Sequence, residues 1–472
     1  MAGFYTTRPA SVMALLPVGA VTALAWTGGD RAGIFGLAAA LSAILAAWQP
    51  RLLVWWLLPL AASDLILTLD VGGFTFRAAQ CAGVALTASA VARTGVRGFI
   101  RFALQLPGMP LLVALIATLA LRLVMGVPNP GKGAGYVAWA LFDIVVLAPS
   151  LAWHVRRTRA HAVVWWCWGG ALIAVFGLLQ VLLAAIEVDP PLVTQWFGAR
   201  ARINAFSYEP SYFAFQAMIP TAILVGLVVA GRTKGWGGWA TLATVLLLSA
   251  LGLSTSRSAW AGSAALLAVF SVAMVARWRW RALPGRDAFR VLAVFAAVVI
   301  VVAALTPPAA FASDRMLAAR ALDTSDPASG EPRMIGLVHA WRLFQKHPIL
   351  GVGPGQFGGA LLADQSVWAR KIMPHEQDPD ALVTYNIYLE LLSETGLVGT
   401  LLVGAAVLLV LWGLWRASRR KGISGRWTEV LLWPLIMTFA VMYQVNQTLW
   451  RTEVWCLVGV AWAFLTPRAP RR

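Results

Sequence analysis

The chain has 472 residues, 59% hydrophobic and only 12% charged, with a mean hydropathy of +0.72 and a formal net charge of +18. Soluble domains carry about 25% charged residues, so half that share makes lipid the main solvent and excludes an ordinary water-soluble fold. Solid apolar runs such as "VLAVFAAVVIVVAAL" also exclude a transmembrane β-barrel, whose segments are short and alternating.

Taken in chain order, the apolar runs predict an all-α polytopic membrane protein with about fourteen spans (roughly 12–14). They fall near residues 10–26, 33–48, 52–68, 78–92, 102–121, 135–153, 162–186, 208–230, 237–253, 259–275 and 291–306. After a long polar stretch come 396–415, 428–445 and 453–466. The fourth run, "AAQCAGVALTASAVA", is the weakest and fits a re-entrant segment as well as a span. The chain divides into residues 1–306 with eleven spans, an outer loop 307–382, and residues 383–472 with a long helix and the last spans. With the N-terminus inside, 23 of the 38 Lys and Arg fall in cytoplasmic loops, against only Asp287 and Glu429 there. This is the positive-inside pattern, so the basic excess reports topology and nucleic acid is not an expected partner. Both termini are then cytoplasmic. Cys81, Cys167 and Cys456 lie within spans and read as small apolar residues, neither disulfide framework nor metal site. No cleavable leader, internal repeat or ATP-binding loop is evident.

Four stretches depart from plain membrane helix. "RINAFSYEPSYFAF" (202–215) puts an arginine, a Glu-Pro pair and an aromatic collar at the mouth of a span. Pro210 suits a first helical turn and pushes Glu209 out of the helical region, to the positive end of the helix dipole. "STSRSAW" (254–260) places Arg257 on the outer side, against the charge bias, among hydroxyls. The outer loop of about ninety residues is too long to be structureless. In it "RMIGLVHAWRLFQKHP" reads as an amphipathic helix with Met334, Leu337, Val338, Trp341 and Phe344 at helical spacing. His339 then belongs to the helix surface, His347 precedes a proline, and "ILGVGPGQFG" is a tight turn rather than a phosphate cradle. From Ala381 to Trp415 a helix would run about 50 Å, longer than the hydrocarbon core, with Gly396 near the membrane boundary. Asn386, Glu390 and Glu394 recur on one side of it, with Glu394 read as structural.

"EPSYFAF", "STSRSAW", "HAWRLFQKHPILGVGPGQF" and "YNIYLELLSETGLVG", in that order, resemble the motifs of the O-antigen ligase and Wzy-type polymerase family. The resemblance covers about residues 200–400. It implies a fold like the GT-C membrane glycosyltransferases and a metal-independent enzyme without cofactor. Its donor would be a glycan on undecaprenyl pyrophosphate, used at the periplasmic face of the bacterial inner membrane. Besides lipid and donor, a chain-length co-polymerase is an expected partner. The sequence departs from the family where the late motif usually begins His-Asn: here Tyr385-Asn386 precedes Gly396 and Gly399.

On this reading Arg202, Arg257 and Arg333 bind the donor diphosphate, because a guanidinium fork matches phosphate oxygens. Tyr212 offers a face for sugar stacking and Asn386 a polar contact. With no histidine at 385, Glu209 is the first expectation for the base, His375 the second, and Tyr385 the occupant of the family's catalytic position. Asp64 and Asp143 are intramembrane acids with no assigned role. The function expected is polymerisation of lipid-linked repeat units for exopolysaccharide or O-antigen. Transfer by a ligase to lipid A-core or another acceptor, such as a protein, is the alternative, and a lipid-glycan flippase ranks below both.

Overall fold

The computed structural model describes residues 31–61, 68–71, 74–194, 196–197, 200–207, 209–229, 239–254, 256, 260, 262–266, 268, 327–363, 384–419, 423–444 and 449–467. Helix α1 (Arg31–Trp48) is followed at once by α2 (Pro50–Ala61), whose first residue is a proline that needs no backbone donor there. Of the expected span 52–68, residues up to Ala61 are helical, 62–67 lie outside the described residues, and Thr68 already belongs to β1 (Thr68–Val71), which pairs antiparallel with β2 (Phe74–Arg77). Val71 faces Phe74 across a two-residue Gly-Gly connection, the sequence that suits a tight hairpin. The all-α expectation is corrected to this extent.

Helix α3 (Ala78–Thr94) starts where the Gln80 side chain accepts the Arg77 N–H at 2.9 Å. The expected span 102–121 is also corrected. It is an elbow of α4 (Val96–Leu104) and α5 (Met109–Val124), bent by 100° at Pro107-Gly108. Gly108 has φ 81 and its α-carbon faces the Ala406 backbone, where a Cβ would come within 3.0 Å; the Trp462 indole donates to the Pro107 carbonyl at 2.9 Å. Next, α6 (Pro130–Leu141), a π turn (Phe142–Leu147) and α7 (Ala148–Val155) make one continuous span of 26 residues. Helix α8 (Arg159–Ala185) leads to the two-residue strands β3 (Trp196–Phe197) and β4 (Arg200–Ala201), and then to α9 (Pro210–Val229) and α10 (Trp239–Leu253).

After residues outside the description come α11 (Pro327–Lys346), α12 (Phe357–Ala363), α13 (Ile387–Ser418) and α14 (Ile423–Ile436). A π turn (Met437–Val441), a 3-10 turn (Met442–Gln444) and α15 (Thr452–Leu465) complete the order. Four described helical runs are long and apolar enough to cross a membrane: Pro130–Val155, Arg159–Ala185, Pro210–Leu227 and Ile387–Ser418, with the α4–α5 elbow a fifth if counted as one span. The protein is a helical membrane protein; the expected spans 10–26 and 291–306 lie outside the described residues.

Helix α15 is the centre of the bundle. It is buried from Thr452 to Phe464 and packs on α7, α13 and α14. Other faces stay bare: Leu172, Val175, Leu179 and Leu182 form an exposed stripe on α8, as do Leu401, Leu408, Trp412 and Trp415 on α13. Apolar stripes of that length at helical spacing are lipid contacts. Helix α11 exists as expected, but its buried face is not the expected one. Gly336, His339, Ala340 and Leu343 are buried, whereas Trp341 is 47% exposed and pairs with Phe344 at 5.3 Å. Small residues allow the close approach, and His339 meets Phe357 edge-on at 5.8 Å instead of lying on the surface.

Candidate active site

The turn after α11 is bound to a kink in α13. Gly396 interrupts α13 with φ 63, and Gly351 has φ 67. The two backbones approach so closely that a Cβ on Gly396 would come within 2.3 Å of the Ile349 carbonyl oxygen, and one on Gly351 within 2.2 Å of the Glu394 backbone. Only glycine fits either place. The contact is paired backbone to backbone: Val352 N donates to Ser393 O (2.9 Å), Gly353 N to Glu394 O (3.0 Å), Leu397 N to Pro348 O (2.8 Å) and Val398 N to Ile349 O (3.2 Å). The buried Glu394 carboxylate accepts the amides of Gly355 (2.9 Å) and Phe357 (3.1 Å), the start of α12. These amides face a carboxylate of the chain itself, so the turn is a clip, as its sequence suggested. Arg122 adds bonds to the carbonyls of Gly351 and Gly126, and Gln356 pairs with the Asn129 backbone.

The clip fixes where α13 begins. The helix starts at Ile387, six residues later than expected, because the Asn386 side chain caps it by accepting the amides of Tyr388 (3.0 Å) and Leu389 (3.1 Å). Asn386 is the residue expected to contact substrate, and its side-chain Oδ1 is engaged in capping the helix. Tyr385 just before it has φ 54, a conformation rare for a side chain of that size and one that concentrates at functional sites. Glu390 is buried in the first turn and accepts from the Thr384 hydroxyl at 3.3 Å.

The collar before α9 is built from a buried, irregular segment. Ile203 to Ser207 are all buried. Their polar groups are met by Gln180, which accepts from Ala205 N (3.0 Å), and by Asn204, which donates to the Leu192 and Ser207 carbonyls. Non-helical backbone at membrane depth is tolerated only when so enclosed. Arg202 is half-buried at the entry. Glu209 then takes its expected place: its carbonyl accepts Tyr212 N and Phe213 N, and its carboxylate accepts the Ser211 hydroxyl at 2.9 Å.

Tyr212 has a partner that sequence reasoning missed. The Arg451 guanidinium carbon lies 3.3 Å from the centroid of its ring. Arg451 is 5% exposed and caps α15, whose first turn carries the buried Glu453. A signal is present in the sequence, because the expected topology puts Arg451 among the minority of basic residues outside the cytoplasmic loops. Beside them stands Tyr443, fully buried against Phe215 and Phe439. Its hydroxyl has no hydrogen-bond partner among the described residues, and the charges of Glu453, Arg451 and Glu390 all act on it. Phenylalanine would serve the packing alone; a buried hydroxyl without a partner costs about 1–3 kcal/mol. Of the chain's seven tyrosines, Tyr212, Tyr388 and Tyr443 join this region, with Tyr385 three residues from Tyr388. Asp143 is buried in the π turn within electrostatic reach of Glu453 and Arg77. Buried ionisable groups within a bundle mark functional sites by default, and π turns often accompany them.

Arg257 and His375 lie outside the described residues, and Arg333 is in the first half of α11. Around Arg257, the Ser254 hydroxyl is committed to the Leu251 carbonyl at 2.7 Å, and the Trp260 indole donates to Gly252 O at 3.1 Å. The structure therefore brings together Tyr212 of α9, Glu390 of α13, Tyr443 of the 3-10 turn, and Arg451 and Glu453 at the start of α15.

The family model described as O-antigen ligase matches residues 242–404, from α10 through the clip to the middle of α13. Glu209, Tyr212, Tyr443 and Arg451 fall outside the matched stretch. No curated protein matches the chain.

Proposed function

We propose that this chain, assigned to the O-antigen ligase and Wzy-type family by its domain at residues 242–404, is a glycosyltransferase that polymerises lipid-linked oligosaccharide repeat units. The observation that carries the reading is the Arg451–Tyr212 stack beside Glu390, Glu453 and the Tyr443 hydroxyl, at the ends of the helices that hold the family's late motif. Buried cation, carboxylates and phenol at the mouth of apolar spans suit a substrate with an anionic leaving group and many hydroxyls.

In the reaction, an acceptor sugar hydroxyl attacks the anomeric carbon of the donor glycan. The bond from that carbon to the undecaprenyl diphosphate oxygen breaks, and the leaving diphosphate carries away its charge. Arg202, Arg257 and Arg333 are assigned to hold that charge, with Arg451 added as a fourth guanidinium. The hydroxyl proton must pass to a base as the new bond forms. Glu209 is the proposed acceptor, held at the mouth of α9 by Pro210 and by the Ser211 hydroxyl. Tyr385, in its strained conformation, occupies the position where the family commonly has histidine. His375 is the second assignment for the base. We assign the reaction to the periplasmic face of the inner membrane, with both termini cytoplasmic, as the distribution of basic residues suggests.

A ligase passing the finished glycan to lipid A-core is the second reading, favoured by the description of the matching family. One assay separates the two. Purified protein in lipid is given undecaprenyl-diphosphate oligosaccharide alone, or with lipid A-core. Lengthening of the lipid-linked glycan without added acceptor supports the polymerase; transfer only when lipid A-core is present supports the ligase. Neither product in any lipid overturns the assignment.

A further inference from the structure

A separate cavity of about 370 Å³ opens where the end of α1, the start of α2, the end of α3 and the end of α7 converge. Arg51, Arg93 and Arg157 line it, with Trp48, Trp153 and His154. No acidic residue is among its described lining residues. The three arginines are exposed, whereas Trp153 and His154 are buried and form the floor, ring to ring at 4.7 Å. His154 is fixed by its Nε2 contact to the Leu86 carbonyl at 3.0 Å, and the charges of Arg93 and Arg157 reach it. Arg156 does not compete for the opening, because it stacks on Phe102 and Trp153. Three guanidinium groups without a carboxylate among them repel one another. Solvent screens that repulsion, and the set leaves a locally positive opening that attracts an anion.

Two features identify the anion. The volume matches a small-molecule site of roughly 300–1,000 Å³ and exceeds what a single inorganic phosphate fills. From the cavity mouth an exposed apolar stripe runs back along α1: Trp48 (73% exposed), Ile44 (58%) and Leu37 (39%), spaced to share one helix face. A charged pocket continued by an apolar stripe has the shape of a phospholipid, headgroup in the pocket and acyl chains along the helix. The arginines are also among those that the charge distribution assigns to the cytoplasmic leaflet, where basic pockets between helices bind anionic headgroups.

We propose that this cavity is a binding site for the phosphate of an anionic phospholipid headgroup, independent of the glycosyl-transfer site. The full-length protein in detergent is titrated with short-chain phosphatidylglycerol, with short-chain phosphatidylcholine and with inorganic phosphate. Thermal unfolding and native mass spectra give the readout. Phosphatidylglycerol should raise the unfolding midpoint and remain bound in the spectrum, and phosphatidylcholine should do neither at the same concentration. Each of Arg51→Gln, Arg93→Gln and Arg157→Gln should weaken the phosphatidylglycerol response by about tenfold or more, the loss of one charge-assisted hydrogen bond to phosphate. Arg97→Gln, on α4 and outside the cavity, makes the same change in net charge and should leave the response intact. The single variants keep the test decisive if combined ones fail to fold. Inorganic phosphate that produces the whole response alone would retain the anion site but overturn the lipid as its source. Equal binding of the two lipids, or an unchanged response in all three arginine variants, would overturn the proposal.

Discussion

Replacing Glu394 by glutamine changes a single atom of the clip and tests what that carboxylate does. Both its oxygens accept buried backbone amides, from Gly355 at 2.9 Å and Phe357 at 3.1 Å, and the residue is 6% exposed. A glutamine keeps one acceptor and turns an NH2 group toward the other amide, donor against donor. The loss is one charge-assisted bond of about 1.5–3 kcal/mol, with weakening of the second bond as the carboxylate becomes a neutral amide, so about 2–4 kcal/mol in all. Because the bonds belong to one turn, the cost should appear as local opening before it appears as global unfolding. Hydrogen exchange at the Gly355 and Phe357 amides should accelerate by roughly thirtyfold to several hundredfold at 1.4 kcal/mol per decade. The unfolding midpoint should fall, and turnover per folded molecule should persist at a reduced level. If exchange at these amides is unchanged while turnover vanishes, Glu394 takes part in the chemistry and the clip reading fails.

Arg451→Lys should lose about tenfold or more in turnover, since an ammonium cannot stack on Tyr212 and hydrogen-bond as a planar fork does, and Arg451→Ala should lose more; full activity in the lysine variant would reduce Arg451 to bulk charge. Glu209→Gln, nearly isosteric but unable to take a proton, should stop turnover while donor binding persists, with Tyr385→Phe mild. An active Glu209→Gln protein removes Glu209 as base, and a dead Tyr385→Phe protein transfers that role to the tyrosine. Arg257→Ala and Arg333→Ala should each lower turnover roughly tenfold to a hundredfold, with only partial rescue by lysine. Tyr443→Phe should raise thermal stability slightly, because it removes a buried hydroxyl with no partner among the described residues, yet raise the KM for donor or acceptor; an unchanged KM would assign the phenol to packing alone.

Local rules carried well wherever one residue decides a boundary. Pro210 marks the start of α9, and the glycines of the turn after α11 mark the clip. The rule for helix caps would also have placed the start of α13 at Asn386; the apolar and acidic pattern running back to Ala381 obscured it. At Pro107-Gly108 the turn signal is present, but a long apolar window averages over two residues, so the elbow reads as part of one straight span. The buried face of α11 was misread for a different reason. Tertiary contact there selects small residues for close approach, which hydrophobicity does not rank. The Arg451–Tyr212 stack joins residues about 240 positions apart, and no pattern within either segment encodes that meeting. Only the expected topology, which sets Arg451 apart from the cytoplasmic basic residues, points to it.

The four backbone bonds between residues 348–353 and 393–398 have a mechanical consequence. They make the end of α11 and the first turns of α13 into one handle. Force applied to α11 passes to the Glu390 turn without slack, since neither partner can slide without breaking the pairing at both glycines. Any movement of the start of α13 therefore carries the end of α11 with it as one unit.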